Sequence, residues 1–297
     1  MSLFMSRKKR DERDAKAVYS ESTWSEVFRR LLKNKVAMAG LIVFVIACLA
    51  CICAPLLTKY DYFSINVDRT KEGPSLAHIF GTDYLGRDLF TRLLYGGRVT
   101  LRIALGSTLI AAVAGCFLGL AIGFFGGRLD FYVSHFLDML ASIPVFLLII
   151  VSEAALGWGE GNFMYAMAIA AIPQFARLVR ASVMNIKGSE YIEAARALGV
   201  RNSGIIFRHI FHNIAPPLII RFTSGVADAL LLCTVMGYLG IGINPPTPEW
   251  GLIAYIGRAY IRSYPLMMIF PCVVITISVL SLCLFGDGLR DALDPRE

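Results

Sequence analysis

Six long apolar stretches dominate the sequence, and each is long enough to cross the hydrocarbon core of a lipid bilayer. A helix needs about 20 mostly apolar residues to span that core. The sequence therefore predicts an all-α integral membrane protein with six transmembrane helices. We place them at residues 36–57, 100–125, 131–156, 163–182, 214–240 and 265–286.

The composition excludes an ordinary soluble domain of this length. The 297 residues are 56% hydrophobic and only 17% charged, whereas soluble domains carry about 25% charged residues. The net charge of +7 is spread between apolar blocks rather than gathered in one patch, so we expect membrane lipid and no nucleic acid as a partner. All seven cysteines lie inside apolar stretches, and we predict neither a disulfide framework nor a metal site there.

The distribution of Lys and Arg predicts the orientation of the chain. With the N-terminus inside, the inner segments hold 20 of the 29 Lys and Arg residues, Arg221 counted among them, and the outer segments hold eight. Inner loops of membrane proteins carry the excess of positive charge. Both termini are therefore predicted to be cytoplasmic.

This orientation divides the chain into five parts. Residues 58–99 form an extracytoplasmic loop after the first span at 36–57, and residues 287–297 form a cytoplasmic C-terminal tail. Residues 100–286 form a five-helix core that contains a cytoplasmic loop at 183–213. The first 35 residues form a cytoplasmic tail, so we expect the first span to be a retained anchor rather than a cleaved signal peptide.

An amphipathic helix is predicted at the end of the N-terminal tail. Thr23 and Glu26 have the spacing of a capping box. The following residues place Trp24, Val27, Phe28, Leu31 and Leu32 on one face and Arg29, Arg30 and Lys33 on the other. A helix of this kind lies in the headgroup plane of a membrane, and a plain solvated helix is the alternative.

Motifs for catalysis are absent from the sequence. It contains no G-x-x-x-x-G-K-[ST] loop for nucleotide phosphates and no H-E-x-x-H metal motif. The four histidines form no ligand cluster. We expect no catalytic residues and no cofactor bound by this chain.

Three carboxylates fall within or near the predicted spans. Asp138 and Glu153 lie towards the ends of theirs, and Asp228 alone is deep. A secondary transporter would need such a group for ion coupling, which keeps a channel or secondary transporter open as a different class. Asp228 is either a polar residue of a pathway or a hydrogen-bonding partner for a neighbouring helix.

The second span carries a small residue at every fourth position, at Ala111, Gly115, Gly119 and Gly123. This spacing puts a smooth stripe on one face of the helix, where another backbone can approach closely. The stripe is expected to pack within the subunit or to form a dimer seam.

The loop at 183–213 is predicted to form two short helices. Ser189 can cap a helix through Leu198, with Ile192, Ala195 and Leu198 on one face, and Gly199 suits the left-handed residue that ends a helix. The second helix would run through Ile205, Ile206 and His209. Small exposed residues at Ala194 and Ala195 suit insertion into a groove on a soluble partner, although an ordinary surface loop remains the alternative.

The sequence EAARALG at 193–199 resembles the E-A-A signature of permease subunits of ABC importers. Three other stretches are similar to the second permease of dipeptide and oligopeptide importers: GTDYLGRD at 81–88, PPTPEWG at 245–251 and GDGLRDALDPR at 286–296. The resemblance covers nearly the whole chain. One departure is Phe211-His212, where that family's signature loop usually runs on to a Leu-Pro pair.

The resemblance implies a type I ABC importer permease fold in the bacterial cytoplasmic (inner) membrane. It implies that the chain forms half of a translocation pathway with a second homologous permease. Two cytoplasmic ATPase subunits would use ATP and Mg, and an extracytoplasmic binding protein would deliver the substrate. Peptides are the expected substrate, with nickel or another small solute as the alternative.

The resemblance also implies roles for two groups of residues. ATPase docking is expected at Glu190, Tyr191, Glu193, Ala194, Ala195, Ala197, Leu198 and Gly199. Contact with the binding protein or the partner permease is expected at Asp83, Arg87, Asp88, Glu249 and Trp250. Local ion pairs are the alternative for the first three residues, and an interfacial anchor or a gate-forming role is the alternative for Trp250.

Overall fold

The structure is a computed structural model that describes residues 24–293. Within that range the chain is helical, and its only β feature is an isolated bridge between Thr82 and Asp88. The main helices are α1 (Trp24–Lys33), α2 (Lys35–Ile52), α3 (Leu89–Phe125), α4 (Gly127–Ser142), α5 (Val145–Leu156), α6 (Glu160–Ile186), α7 (Glu190–Ala197), α8 (Phe211–Tyr238), α9 (Trp250–Arg258) and α10 (Leu266–Leu293). Shorter helical pieces are Ala54–Leu57, Val67–Arg69, Asn202–Gly204 and the π-helical Ile205–Ile210.

Six membrane crossings can be assigned within residues 24–293. Helices α2, α3, α6 and α10, together with the continuous helical stretch Asn202–Tyr238, are each long and apolar enough to span a bilayer. The pair α4 and α5 meets at an angle of 101° and makes the sixth crossing when it is counted as one broken span. The all-helical fold is therefore confirmed, with five spans, or six when the bent pair is counted as one.

The prediction of one continuous helix at 131–156 is wrong. The helix stops at Ser142, and Ile143 has an extended backbone with ψ of 130°. Pro144 follows, and a proline ring disfavours helical backbone at the residue before it. The bend therefore lies where a proline ends one helix and α5 starts in a new direction.

Several predicted boundaries also need correction. Helix α3 begins at Leu89, so residues 89–99 of the predicted extracytoplasmic loop are helical. Helix α10 continues to Leu293, which converts most of the predicted C-terminal tail into helix. The loop at 183–213 is shorter than predicted because its second helix is no separate element and continues into α8.

The small-residue stripe of α3 packs against α6 of the same chain. A Cβ atom at Gly115 would lie 2.5 Å from the Cβ of Phe175, and one at Gly119 would lie 2.6 Å from the Cβ of Val179. Such distances leave no room for a side chain. The structure thus matches the alternative in which the stripe packs within the subunit.

Helix α1 packs on the end of α10 through part of its apolar face. Val27 and Leu31 are buried in a cluster that contains Leu289 and Ala292, while Phe28 remains 62% exposed. The predicted capping-box residue Thr23 lies outside the described residues. Contact of α1 with lipid headgroups stays a prediction. The exposed part of its apolar face is the surface that would make this contact.

Candidate functional site

The short helix α7 is held in a defined conformation at its C-terminal end. Gly199 has φ of +76°, a left-handed conformation that glycine adopts without a Cβ penalty. The Gly199 N–H donates to the Arg196 carbonyl at 2.9 Å, and the Val200 N–H donates to the Ala195 carbonyl at 3.1 Å. These two bonds form a Schellman motif, which agrees with the role predicted for Gly199.

The N-terminal end of α7 differs from the prediction in one detail. Ser189 occupies the N-cap position with extended backbone, but its side chain makes no capping hydrogen bond. Its hydroxyl instead donates to the Ile186 carbonyl at 2.7 Å. Ser189 therefore fastens the turn to the end of α6.

Helix α7 has one buried face and one exposed face. Ile192 and Ala195 are buried, and Ile192 belongs to a cluster that includes Phe124 and Val183. The prediction that Ala195 is exposed is wrong, as is the placement of Leu198 on the same face, because Leu198 is 84% exposed. The exposed members of the predicted docking set are Glu190, Tyr191, Glu193, Ala194, Ala197, Leu198 and Gly199.

Polar contacts attach the α7 segment to the end of α3. The Lys187 ammonium donates to the Gly123 carbonyl at 3.0 Å. The Arg196 guanidinium lies 5.7 Å from the centre of the Phe124 ring, within the range of a cation–π contact. The segment is therefore tied to α3 just before α7 and in the last turn of α7.

An ion pair joins α6 to the broken span. Arg180 on α6 donates two hydrogen bonds to Asp130 on α4, at 2.5 and 2.7 Å. Paired bonds of this kind hold both partners in a fixed orientation. Sequence reasoning missed this pair because the two residues lie 50 positions apart with no pattern connecting them.

The predicted receptor-facing residues of the 58–88 segment are buried. Arg87 pairs with Asp83 at 2.7 Å, and the Arg92 guanidinium lies 3.6 Å from Asp83. Asp88 accepts a hydrogen bond from the first turn of α3 and lies 2.8 Å from the His78 ring. The structure therefore supports the alternative of local ion pairs for Asp83, Arg87 and Asp88.

Glu249 and Trp250 are also buried, each about 1% exposed. The Glu249 carboxylate accepts hydrogen bonds from two backbone N–H groups of α9, at 2.9 and 2.8 Å, and from the Thr100 hydroxyl at 3.0 Å. Burial raises the pKa of this carboxyl, and the hydrogen bonds oppose that rise. The Trp250 indole N–H donates to the Leu93 carbonyl at 2.8 Å, so the interfacial-anchor prediction for Trp250 is wrong.

Arg221 and Asp228 line a cavity of about 310 Å³ between α3, α5, α6 and α8. Asp228 on α8 is 68% exposed and receives a hydrogen bond from Arg221 at 3.1 Å. Arg221 lies within α8. Asp228 bonds to its own helix rather than to a neighbouring one.

Asp138 and Glu153, the two other carboxylates of the predicted spans, differ in how far they are buried. Asp138 is exposed and lies 3.9 Å from Arg177. Glu153 is fully buried, and neither carboxyl oxygen has a hydrogen-bond partner among the described residues. The described residues also contain no group of three or more His, Cys, Asp and Glu side chains that could hold a metal ion.

Two family models match this chain. The model described as "Binding-protein-dependent transport system inner membrane component" matches residues 112–297. The model described as "N-terminal TM domain of oligopeptide transport permease C" matches residues 22–74.

Similar proteins carry related names. A dipeptide transport system permease protein of Alkalihalophilus pseudofirmus is 42% identical over 275 residues, which cover 93% of this chain and 90% of that protein. A glutathione transport system permease protein of Pectobacterium atrosepticum is 39% identical, with 92% and 91% covered. An oligopeptide transport system permease protein of Bacillus subtilis is 35% identical, with 93% and 91% covered.

The fold is similar to a solved structure. An inward-facing structure of the MetNI methionine ABC transporter aligns with a TM-score of 0.57 at 22% identity. The alignment covers 68% of this chain and 96% of that chain. This similarity supports the type I permease fold.

Proposed function

This chain belongs to the family of binding-protein-dependent transport system inner membrane components, and we propose that it is one of two permease subunits of an ATP-driven peptide importer. The chain supplies half of the translocation pathway, and a second permease supplies the other half. Two ATPase subunits hydrolyse ATP, and an extracytoplasmic binding protein delivers the peptide. The relatives are named for dipeptides, glutathione and oligopeptides, which favours a peptide over nickel as the substrate.

The observation that carries this proposal is the shape of α7. The helix lies between two membrane spans, and its outer face presents Leu198, Ala194 and Glu193 without cover. A leucine that is 84% exposed at a capped helix end suits insertion into an apolar groove of a soluble protein. The ATPase is the partner that requires such a firm attachment.

The contacts of α7 with the bundle give it a way to transmit movement. Ile192 is buried among side chains of α3 and α6, and Lys187 binds the Gly123 carbonyl at the end of α3. The Arg180–Asp130 pair then connects α6 to α4. Because packed interfaces move as units rather than deform continuously, displacement of α7 by the ATPase displaces the ends of three helices.

The experiment that tests this function is purification of the tagged chain in mild detergent from its native host. A second permease and two ATPase subunits are expected to co-purify in equal amounts. Recovery of this chain alone, as an oligomer that transports without ATP, would instead support a channel or secondary transporter.

A matched pair of variants then tests the docking face. Leu198→Asp is expected to abolish recovery of the ATPases because it puts a charge into an apolar groove. The control is Leu76→Asp, the same change at a leucine that is even more exposed than Leu198, in the 58–88 segment. Loss of the ATPases in both variants, or in neither, contradicts the docking role of α7.

A further inference from the structure

An ion pair lies on α8, in the helical stretch Asn202–Tyr238 that is long and apolar enough to cross a membrane. Arg221 is close to the middle of the continuous helical stretch Asn202–Tyr238, and Asp228 lies two turns further along. Charged side chains inside a membrane are costly, and they face a bundle interior or a water-filled cavity where they mark substrate pathways. The pair therefore needs an explanation beyond packing.

The surroundings of Arg221 hold its guanidinium at the cavity wall. One terminal nitrogen donates to Asp228, and the other donates to the amide oxygen of Gln174 on α6. The guanidinium carbon lies 5.5 Å from the centre of the Phe175 ring, a cation–π distance. Contacts with two helices thus fix the direction of the side chain.

Asp228 is less enclosed than its partner. Its side chain is 68% exposed, whereas that of Arg221 is 24% exposed. Both residues line the 310 Å³ cavity, whose other walls include Phe146, Met167 and Leu232. The cavity thus combines one positive group and one negative group with a largely apolar lining.

We propose that Arg221 and Asp228 form a binding site for the charged ends of a zwitterionic peptide as it passes through the pathway. This inference rests on the proposed function and names the residues that hold its substrate. The guanidinium binds the peptide carboxylate, and the Asp228 carboxylate binds the peptide ammonium group. The apolar walls contact the side chains of the peptide.

The chemistry of the pair suits exchange of partners. A guanidinium presents its donors in a planar fork that matches a carboxylate, and Arg221 already donates to oxygen atoms of Asp228, Gln174 and Ser224. When a peptide enters, its carboxylate replaces one of these oxygens while its ammonium group compensates Asp228. Neither charge is left unpaired in the membrane, which avoids the main cost of a single buried charge.

The test measures peptide uptake by the complete importer with its binding protein in proteoliposomes. We compare Arg221→Gln, which removes the charge, with Arg221→Lys, which keeps it. Uptake of a dipeptide with a free carboxyl group is expected to fall about tenfold in Arg221→Gln, equivalent to about 1.4 kcal/mol. Arg221→Lys is expected to retain more uptake than Arg221→Gln.

A peptide amide serves as the second substrate because it lacks the carboxylate. Each rate is divided by the wild-type rate on the same peptide, so the preference of the binding protein cancels. Arg221→Gln is expected to lower amide uptake less than about twofold, since the contact it removes is absent there. Equal losses on both peptides would assign Arg221 a structural role and overturn the proposal, as would unchanged uptake of the free dipeptide.

If the wild-type importer does not transport the amide, the proposal is tested by whether dipeptide protects a cysteine in the cavity from chemical labelling. Ala171 lines the same cavity close to Gln174, and Ala171→Cys is made in a chain whose seven native cysteines are replaced by serine or alanine. Dipeptide at twice its dissociation constant should slow the reaction of this thiol with a water-soluble thiosulfonate reagent about threefold. A rate that is unaffected by dipeptide overturns the proposal.

The same assays separate failure of this inference from failure of the proposed function. If the wild-type importer takes up no peptide, the proposed function fails. If it takes up peptide and Arg221→Gln behaves as wild type, only the inference fails.

Discussion

Replacing Gly199 with alanine tests whether the cap of α7 must keep its conformation for transport. Gly199 has φ of +76°, and an added Cβ atom would meet nothing within 4 Å. The substitution therefore adds no steric overlap with other residues. Its effect comes only from the left-handed backbone that alanine adopts at a cost of about 1–2 kcal/mol.

This cost shifts the equilibrium between the intact and the opened state of the α7 cap. A difference of 1–2 kcal/mol changes an equilibrium constant by a factor of about 5–30. The two cap hydrogen bonds, donated by the amides at 199 and 200, are expected to open that much more often. Leu198 precedes Gly199 directly, so the opened state is expected to lose the orientation on which the proposed docking to the ATPase depends.

Two measurements on the purified importer check the prediction. Hydrogen exchange at the Val200 amide is expected to accelerate by about 5–30-fold. In proteoliposomes, the number of ATP molecules hydrolysed per peptide imported is expected to rise. The change should appear while the subunits still co-purify.

Two control variants complete the design. Gly188→Ala alters a glycine on the other side of α7 that also has nothing within 4 Å and no positive φ, so it should behave as wild type. Gly199→Asn should fall close to wild type because asparagine tolerates the left-handed region. If Gly199→Ala exchanges and transports like Gly188→Ala, the cap does not contribute to coupling.

Two further predictions concern contacts that hold the bundle. Trp250→Phe removes the hydrogen bond to Leu93 and part of a buried ring, so it should cost about 1–3 kcal/mol; heating followed by size-exclusion chromatography should show a lower melting temperature, and an unchanged one contradicts the packing role. A double-mutant cycle of Asp130→Asn and Arg180→Gln should show non-additive shifts of the melting temperature in the same assay, since such a pair contributes about 1 kcal/mol. Additive shifts would mean that the pair makes no net contribution.

The spans were predictable from the sequence, but their ends and shapes were not. Hydropathy identifies apolar length, and charged residues such as Arg92 end an apolar window although α3 continues through them. Proline was also ambiguous as a signal. Pro144 ends a helix, whereas Pro173 and Pro271 lie inside α6 and α10 without breaking them. Tertiary packing decides between these outcomes, and the sequence pattern does not contain it.

Helix α7 and its glycine cap were predicted, but its faces were assigned incorrectly. The three-residue spacing of Ile192, Ala195 and Leu198 implies one face only if the helix continues through all of them. The helix ends at Ala197, and the chain turns at the cap. Leu198 is six positions after Ile192 and thus about 120° round the helix axis from it, which agrees with its exposure.

The buried motifs that contain Asp88, Glu249 and Trp250 lie at the start of α3, far from α7. Their structural role there was not apparent from the sequence. Asp88 caps α3, Trp250 binds the Leu93 carbonyl, and Glu249 binds Thr100. All three contacts fall between Thr91 and Thr100 in the N-terminal third of α3, a helix of 37 residues and thus about 55 Å in length.

The other end of α3 is equally constrained. Lys187 binds the Gly123 carbonyl, and Arg196 lies over Phe124, so the α7 segment is fastened to the last turns of α3. The stripe of small residues presses the middle of α3 against α6. A helix held in this way at both ends and along its length moves as one body. We therefore expect a displacement of α7 to reach the 58–88 segment and α9 through α3, because the motifs at both ends contact this one helix.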